Sequence, residues 1–113
     1  MIESNTSSPH FLMVTLEANS GIGRNTIQKA LNAAVDWVMY MPNCYILYSD
    51  RSVQDWYEEF KPILGARDHV FICAVDLNER QGWLSSSVWD WIRKYDYSPE
   101  ESPALNEKEL VSV

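Results

Sequence analysis

Basic residues are scarce in this chain: nine Lys and Arg stand against sixteen Asp and Glu, a formal net charge of −7 over 113 residues. That balance argues against a broad nucleic-acid footprint, which needs clustered cations to displace phosphate counterions. It leaves room only for a local basic spot. Cysteine is nearly absent. The two present, Cys44 and Cys73, lie in apolar strand-like runs and read as buried free thiols of a cytoplasmic protein rather than a disulfide. The two histidines, His10 and His69, show no ligand spacing, so neither they nor the cysteines make a metal site. No apolar run is long enough to span a bilayer, and the N-terminus lacks a charged-then-apolar signal pattern, so no membrane association is expected. A nucleophile pattern is missing too. Ser85, Ser86 and Ser87 resemble helix caps and have no histidine–acid partner pattern, which disfavours a serine hydrolase.

What is present is apolar substance: 46% of the residues, enough for the core of one domain. Residues 1–9 are polar and Ser-rich and predict a disordered leader; 10–96 carry the domain; 97–113, with prolines and glutamates, predict an acidic flexible tail. Residues 11–16 form a short apolar run, a buried strand. A loop over 18–25 follows, then a helix from Thr26 whose apolar face is Ile27, Ala30, Leu31, Ala34 and Val35. The β-rich runs 37–41 and 44–48 flank Pro42-Asn43 and predict a hairpin. Ser52 with Asp55 resembles a capping box opening a helix over 53–60, packed through Val53, Trp56, Tyr57 and Phe60 and ended by Pro62 and Gly65. The run 70–75 is continuous enough to predict a central strand.

The order predicts an α+β fold: a ferredoxin-like βαββαβ chain with a four-stranded antiparallel sheet, both helices on one face, plus a C-terminal helix. The other sheet face is left for a partner copy or an extra segment to cover, so a homodimer is expected. At the far end, 109–113 alternate well enough to add as a strand to a sheet edge, against the plainer reading of a floppy terminus.

Chemistry has few places to reside. Gly21, Gly23 and Arg24 lie between the first strand and the first helix, where free amides and the helix dipole favour an anion. The competing reading is a flexible turn. A dinucleotide fingerprint would need glycine where Thr26 stands, and no Gly-Lys-Ser/Thr follows. Glu17 ends the first strand. Two copies of it in a dimer could share one Mg²⁺ and activate water against a phosphodiester; alone, it is a solvated carboxylate. Asp50, Arg51 and Asp55 at the second helix, and Asp76, Glu79 and Arg80 after the last strand, are explained by capping and turns. Tyr40, Tyr45 and Tyr48 evoke base-stacking sheets, but the Lys/Arg-Gly-aromatic strand motif is missing and packing explains them better.

The densest signal comes last: Gly82-Trp83-Leu84 and Val88-Trp89-Asp90-Trp91-Ile92. Trp83 is expected to anchor a turn, and either Trp89 with Ile92 or Trp91 with Val88 to dock a helix. Two positions apart, Trp89 and Trp91 cannot share a face, so one points outward. With the runs 37–40, 44–48 and Arg67-Asp68-His69-Val70, this block resembles a SinR-like group of small proteins, related in fold to the CRISPR-associated endoribonuclease-like adaptation subunit. The resemblance covers about 11–92 and implies a ferredoxin-like subunit that dimerises. In the nuclease-like relatives an aspartate closes the first strand and is associated with metal-dependent cleavage. The matching position here is Glu17, in Leu16-Glu17-Ala18-Asn19, which keeps the charge on a longer side chain. The SinR-like group carries no assigned activity. The expectation is therefore a dimerising interaction or scaffold domain that needs no cofactor; the alternative is a Mg²⁺-dependent nuclease using paired Glu17.

Overall fold

A computed structural model describes residues 8–95, and the chain divides into two compact units, 1–75 and 76–113. Most of the expected leader and all of the expected tail, with its candidate strand at 109–113, lie outside the described residues.

The first unit runs β1 (His10–Glu17), α1 (Arg24–Leu31), β2 (Asp36–Met41), β3 (Cys44–Ser49), α2 (Val53–Phe60), a short 3₁₀ turn (Lys61–Ile63) and β4 (His69–Val75). The strands form one four-stranded sheet in the order β2-β3-β1-β4, and every neighbouring pair is antiparallel. Strand β1 lies between β3 and β4, with Leu12, Val14 and Leu16 on one face and Phe11, Met13, Thr15 and Glu17 on the other. Leu12 lies opposite Leu47 on one side and Ala74 on the other, and Val14 opposite Tyr45 and Ile72. Leu12, Val14, Leu16, Tyr45 and Leu47 share a single core with Ile27, Ala30 and Leu31 of α1 and with Trp56 and Phe60 of α2. Both helices thus cover the same sheet face. Each of the larger aliphatic and Phe side chains contributes about 1.5–3 kcal/mol through burial, before the entropy of ordering it.

Local signals explain most boundaries, and the departures have physical causes. The helix predicted from Thr26 starts two residues earlier, at Arg24, because Gly23 already has the extended N-cap backbone. It stops at Leu31, so Ala34 and Val35 are not helical; Asn32 closes it, and its Oδ1 accepts the Trp37 indole N–H at 2.8 Å. Ala34 still packs against the core, whereas Val35 is exposed. The hairpin forms at Pro42-Asn43 as predicted, with Asn43 in the left-handed region at φ 66° and a register shift between Met39 and Met41.

The capping box is present in full: Ser52 Oγ accepts the Asp55 amide at 3.0 Å, while Asp55 Oδ2 accepts the Ser52 amide at 3.3 Å. Of the four residues expected to pack α2, Trp56 and Phe60 are buried but Val53 and Tyr57 are exposed, on the flank of a narrow apolar stripe. Strand β4 is an edge strand, contrary to the central position its apolar run predicts. Val70 and Ile72 face the core, and Phe71 between them points to the other face and is 67% exposed. The run is continuous because both faces are apolar: Phe11 and Ile46 on the outer face are buried too, while Phe71 on the edge strand is not. The cysteines are free as expected, but half-buried rather than buried.

In the second unit, α3 (Ser86–Tyr95) carries the tryptophan block, with the Ser85 carbonyl accepting the Val88 and Trp89 amides at its start. Val88, Trp89 and Ile92 are its buried residues. Trp91 is half-buried and meets Tyr95 edge-on, ring centroids 5.2 Å apart. Of the two alternatives, Trp89 with Ile92 is the inward pair, joined by Val88. Trp83 does not anchor the turn by burial: it is 76% exposed.

Candidate functional site

The loop between β1 and α1 is held at its start by one carboxylate. Asp68, buried just before β4, accepts four hydrogen bonds: Oδ1 from the Asn19 and Ser20 amides at 2.6 and 2.8 Å, Oδ2 from the Ser20 hydroxyl and the Gly65 amide at 2.5 and 2.7 Å. Asn19 Nδ2 adds a bond to the Arg67 carbonyl at 3.0 Å. The Ser20 hydroxyl, then the Gly65 amide and the two loop amides, favour the carboxylate over its acid and hold its pKa down to about 2 against the opposing effect of burial. The sequence pattern assigns Gly65 only the end of α2. A Cβ there would come within 3.0 Å of Ser20 Oγ and 3.1 Å of Ser20 Cβ, so a larger residue would press on the side chain that Asp68 holds. Nothing in the pattern around Asp68 singles it out. The only local trace is the spacing Gly65-x-x-Asp68, closed by the Asp68 amide on the Gly65 carbonyl at 3.1 Å.

From this clamp the chain turns at Gly21, φ 89°, a backbone that favours glycine, and reaches Gly23, which caps α1 with no side-chain hydrogen bond. Of the three residues expected to hold an anion, Arg24 lines a cavity; Gly21 and Gly23 do not line it and shape the loop that delivers Arg24. The cavity measures about 550 Å³ and lies between this loop, the first turn of α1 and the β2–β3 hairpin, with Ile22, Ile27, Met39 and Tyr45 in its walls. Arg24 is exposed at the rim, and no carboxylate pairs with it among the described residues. Burial pushes the Tyr45 hydroxyl up, opposed by the positive charge of Arg24. Tyr45 therefore presents a neutral O–H near neutral pH.

Glu17 occupies the opposite sheet face. Its Oε1 lies 3.0 Å from His69 Nδ1, its register partner on β4, and both side chains are largely exposed. The pair borders an apolar strip of the outer face around Phe71, whose register partner is Thr15, with Cys44 and Cys73 half-buried beside it. Among the described residues no group of three His, Cys, Asp or Glu could hold a metal ion. One copy of the chain offers Glu17 and His69 only. Of the charges attributed to caps and turns, Arg51 pairs with Glu59 at 3.2 Å and lies over the Trp56 ring at 5.0 Å, and Asp76 Oδ1 accepts the Asn78 amide at 2.9 Å.

No family model, curated protein or solved structure matches the chain. Fold and site together describe an α+β domain with α1 and α2 on one sheet face, a cavity beside α1, and Phe71 exposed at the β4 edge of the other face. No helix among the described residues is long and apolar enough to cross a membrane.

Proposed function

We propose that this chain is a ferredoxin-like interaction domain that forms a homodimer through the β4 side of its outer sheet face. The strand order β2-β3-β1-β4 with both helices on one face supports the ferredoxin-like reading. The observation that carries the dimer is Phe71, 67% exposed in the middle of a regular strand. A second copy suits this strip because its border is self-complementary: under a two-fold axis, Glu17 of each copy can face His69 of the other.

Roughly two-thirds of the Phe71 side chain is left to bury, about 1–2 kcal/mol per copy and about 2–4 kcal/mol per symmetric pair. Phe71→Glu should therefore weaken association about 30- to 1,000-fold. The test is mass in solution by light scattering. The chain at about 0.1 mM should run near twice its 13.1 kDa mass, and Phe71→Glu near 13.1 kDa with unchanged circular dichroism. A wild-type chain that is monomeric there refutes the proposal.

A second reading, a Mg²⁺-dependent nuclease with paired Glu17, draws support from the same placement: Glu17 is exposed on the face assigned to the dimer. The donors fit this ion in part. With Oε1 engaged by His69, Glu17 keeps one free oxygen, and a hard cation prefers such oxygens to imidazole. When bound, the metal would lower the pKa of a water for attack on phosphorus. Mg²⁺-dependent cleavage of RNA or DNA by the chain, lost in Glu17→Gln, is the expected result under this reading; inactivity of the wild-type chain on both removes it.

A further inference from the structure

We propose that the cavity beside α1 binds a small organic monoanion with a flat apolar body, an aryl carboxylate. Its volume, about 550 Å³, falls within the range of about 300–1,000 Å³ common to small-molecule sites. Its walls mix polar and apolar surface, the apolar part formed by Ile22 and Ile27 on one side and Met39 with the Tyr45 ring on the other. Met39 is exposed on an edge strand, and methionine adapts to flat aromatic surfaces.

The charge at the rim decides the ligand's sign. Arg24 has no carboxylate partner among the described residues, although acidic groups outnumber basic ones sixteen to nine in the sequence. A guanidinium presents its N–H groups as a planar fork that matches a carboxylate with two bonds. No second Lys or Arg lines the cavity, so one negative charge is balanced and a second is not. That favours a carboxylate over a phosphate monoester. The loop carrying Ile22 and Arg24 is tethered at Ser20 by Asp68, so this wall is formed before a ligand arrives.

The site is independent of the dimer, since none of its walls includes Phe71, Thr15 or Glu17. The probes are 2-naphthoate, the neutral 2-naphthylmethanol and the dianionic 2-naphthyl phosphate, titrated into the full chain and followed by amide chemical shifts. Naphthoate should saturate with a dissociation constant of about 1 mM or tighter and shift the amides of 18–27 and 39–45. The alcohol and the phosphate should bind about tenfold or more weakly. Arg24→Gln, a change at an exposed position, should cost naphthoate about tenfold and leave the alcohol unchanged. Equal binding of acid and alcohol, a phosphate that binds tighter than the carboxylate, or Arg24→Gln without effect each overturns the proposal. So does naphthoate that fails to saturate by about 5 mM. Phe71→Glu should retain the site, so failure of the dimer and failure of this proposal give different results.

Discussion

The core makes a sharp demand at Ser49. The Trp56 indole N–H donates to Ser49 Oγ at 3.0 Å, and neither residue has any exposed surface. The same oxygen accepts the Arg51 amide at 3.0 Å. Ser49→Ala removes the acceptor without opening room for water, so the indole N–H stays buried and unpaired, at a cost of about 1–3 kcal/mol. The Arg51 amide is only partly buried and can turn to solvent, adding little. Trp56→Phe alone loses ring volume from a site where Phe60 stacks at 6.0 Å, a cost of about 2 kcal/mol. In the Ser49→Ala background that same change also removes the orphaned donor. The double variant should therefore be more stable than the sum of the singles predicts, by about 1 kcal/mol. Urea unfolding followed by far-UV circular dichroism, with an unchanged slope, reads all four proteins. If Ser49→Ala costs under about 0.5 kcal/mol, or if the cycle closes additively within about 0.3 kcal/mol, the assignment of the bond as a core determinant is wrong.

Asp68 gives an acid-side prediction. Its folded pKa, about 2, lies below the ordinary 3.8, so its contribution to stability is complete above about pH 4 and lost as pH falls through about 2. The urea midpoints of the wild-type chain and Asp68→Asn should accordingly differ at neutral pH and converge toward pH 2; an equal gap at both ends refutes the carboxylate's role. Because Asp68 tethers Ser20, the same variant should also weaken naphthoate binding while leaving the dimer mass unchanged, and a lower dimer mass would count against the separation of cavity and outer face.

Much of the architecture was legible in the order of residues because it depends on local chemistry. The capping box at Ser52 and Asp55, the hairpin at Pro42-Asn43 and the free cysteines follow from short-range patterns, and the structure reproduces each. The misreadings arise where distant parts decide. The α1 end at Asn32, whose side chain accepts the Trp37 indole N–H, is a nearer case that helical periodicity through Val35 could not register. Strand β4 reads as central from its unbroken apolar run, yet it lies at the edge with Phe71 uncovered. Trp83, read as an anchor, is exposed, and Trp89 rather than Trp91 turns inward.

The candidate site divides the same way. Arg24 at the start of a helix and Glu17 at the end of a strand could be singled out from the order of turns and elements. The bond from Glu17 to His69 needed the β1–β4 register, which joins residues 52 positions apart. The cavity needed the hairpin to meet the loop. Asp68 stood unmarked, since a carboxylate's role depends on which amides point at it.

By itself, then, the sequence determined the element types, the caps and turns and the charge balance, because each follows from neighbours within a few positions. Only the tertiary structure decided which strand is an edge, that Phe71 stays exposed on it, that Gly65 lies close against Ser20, and that Asp68 secures the loop bearing Arg24. Those depend on groups brought together from far along the chain, and pairings of that kind leave no period or motif to read.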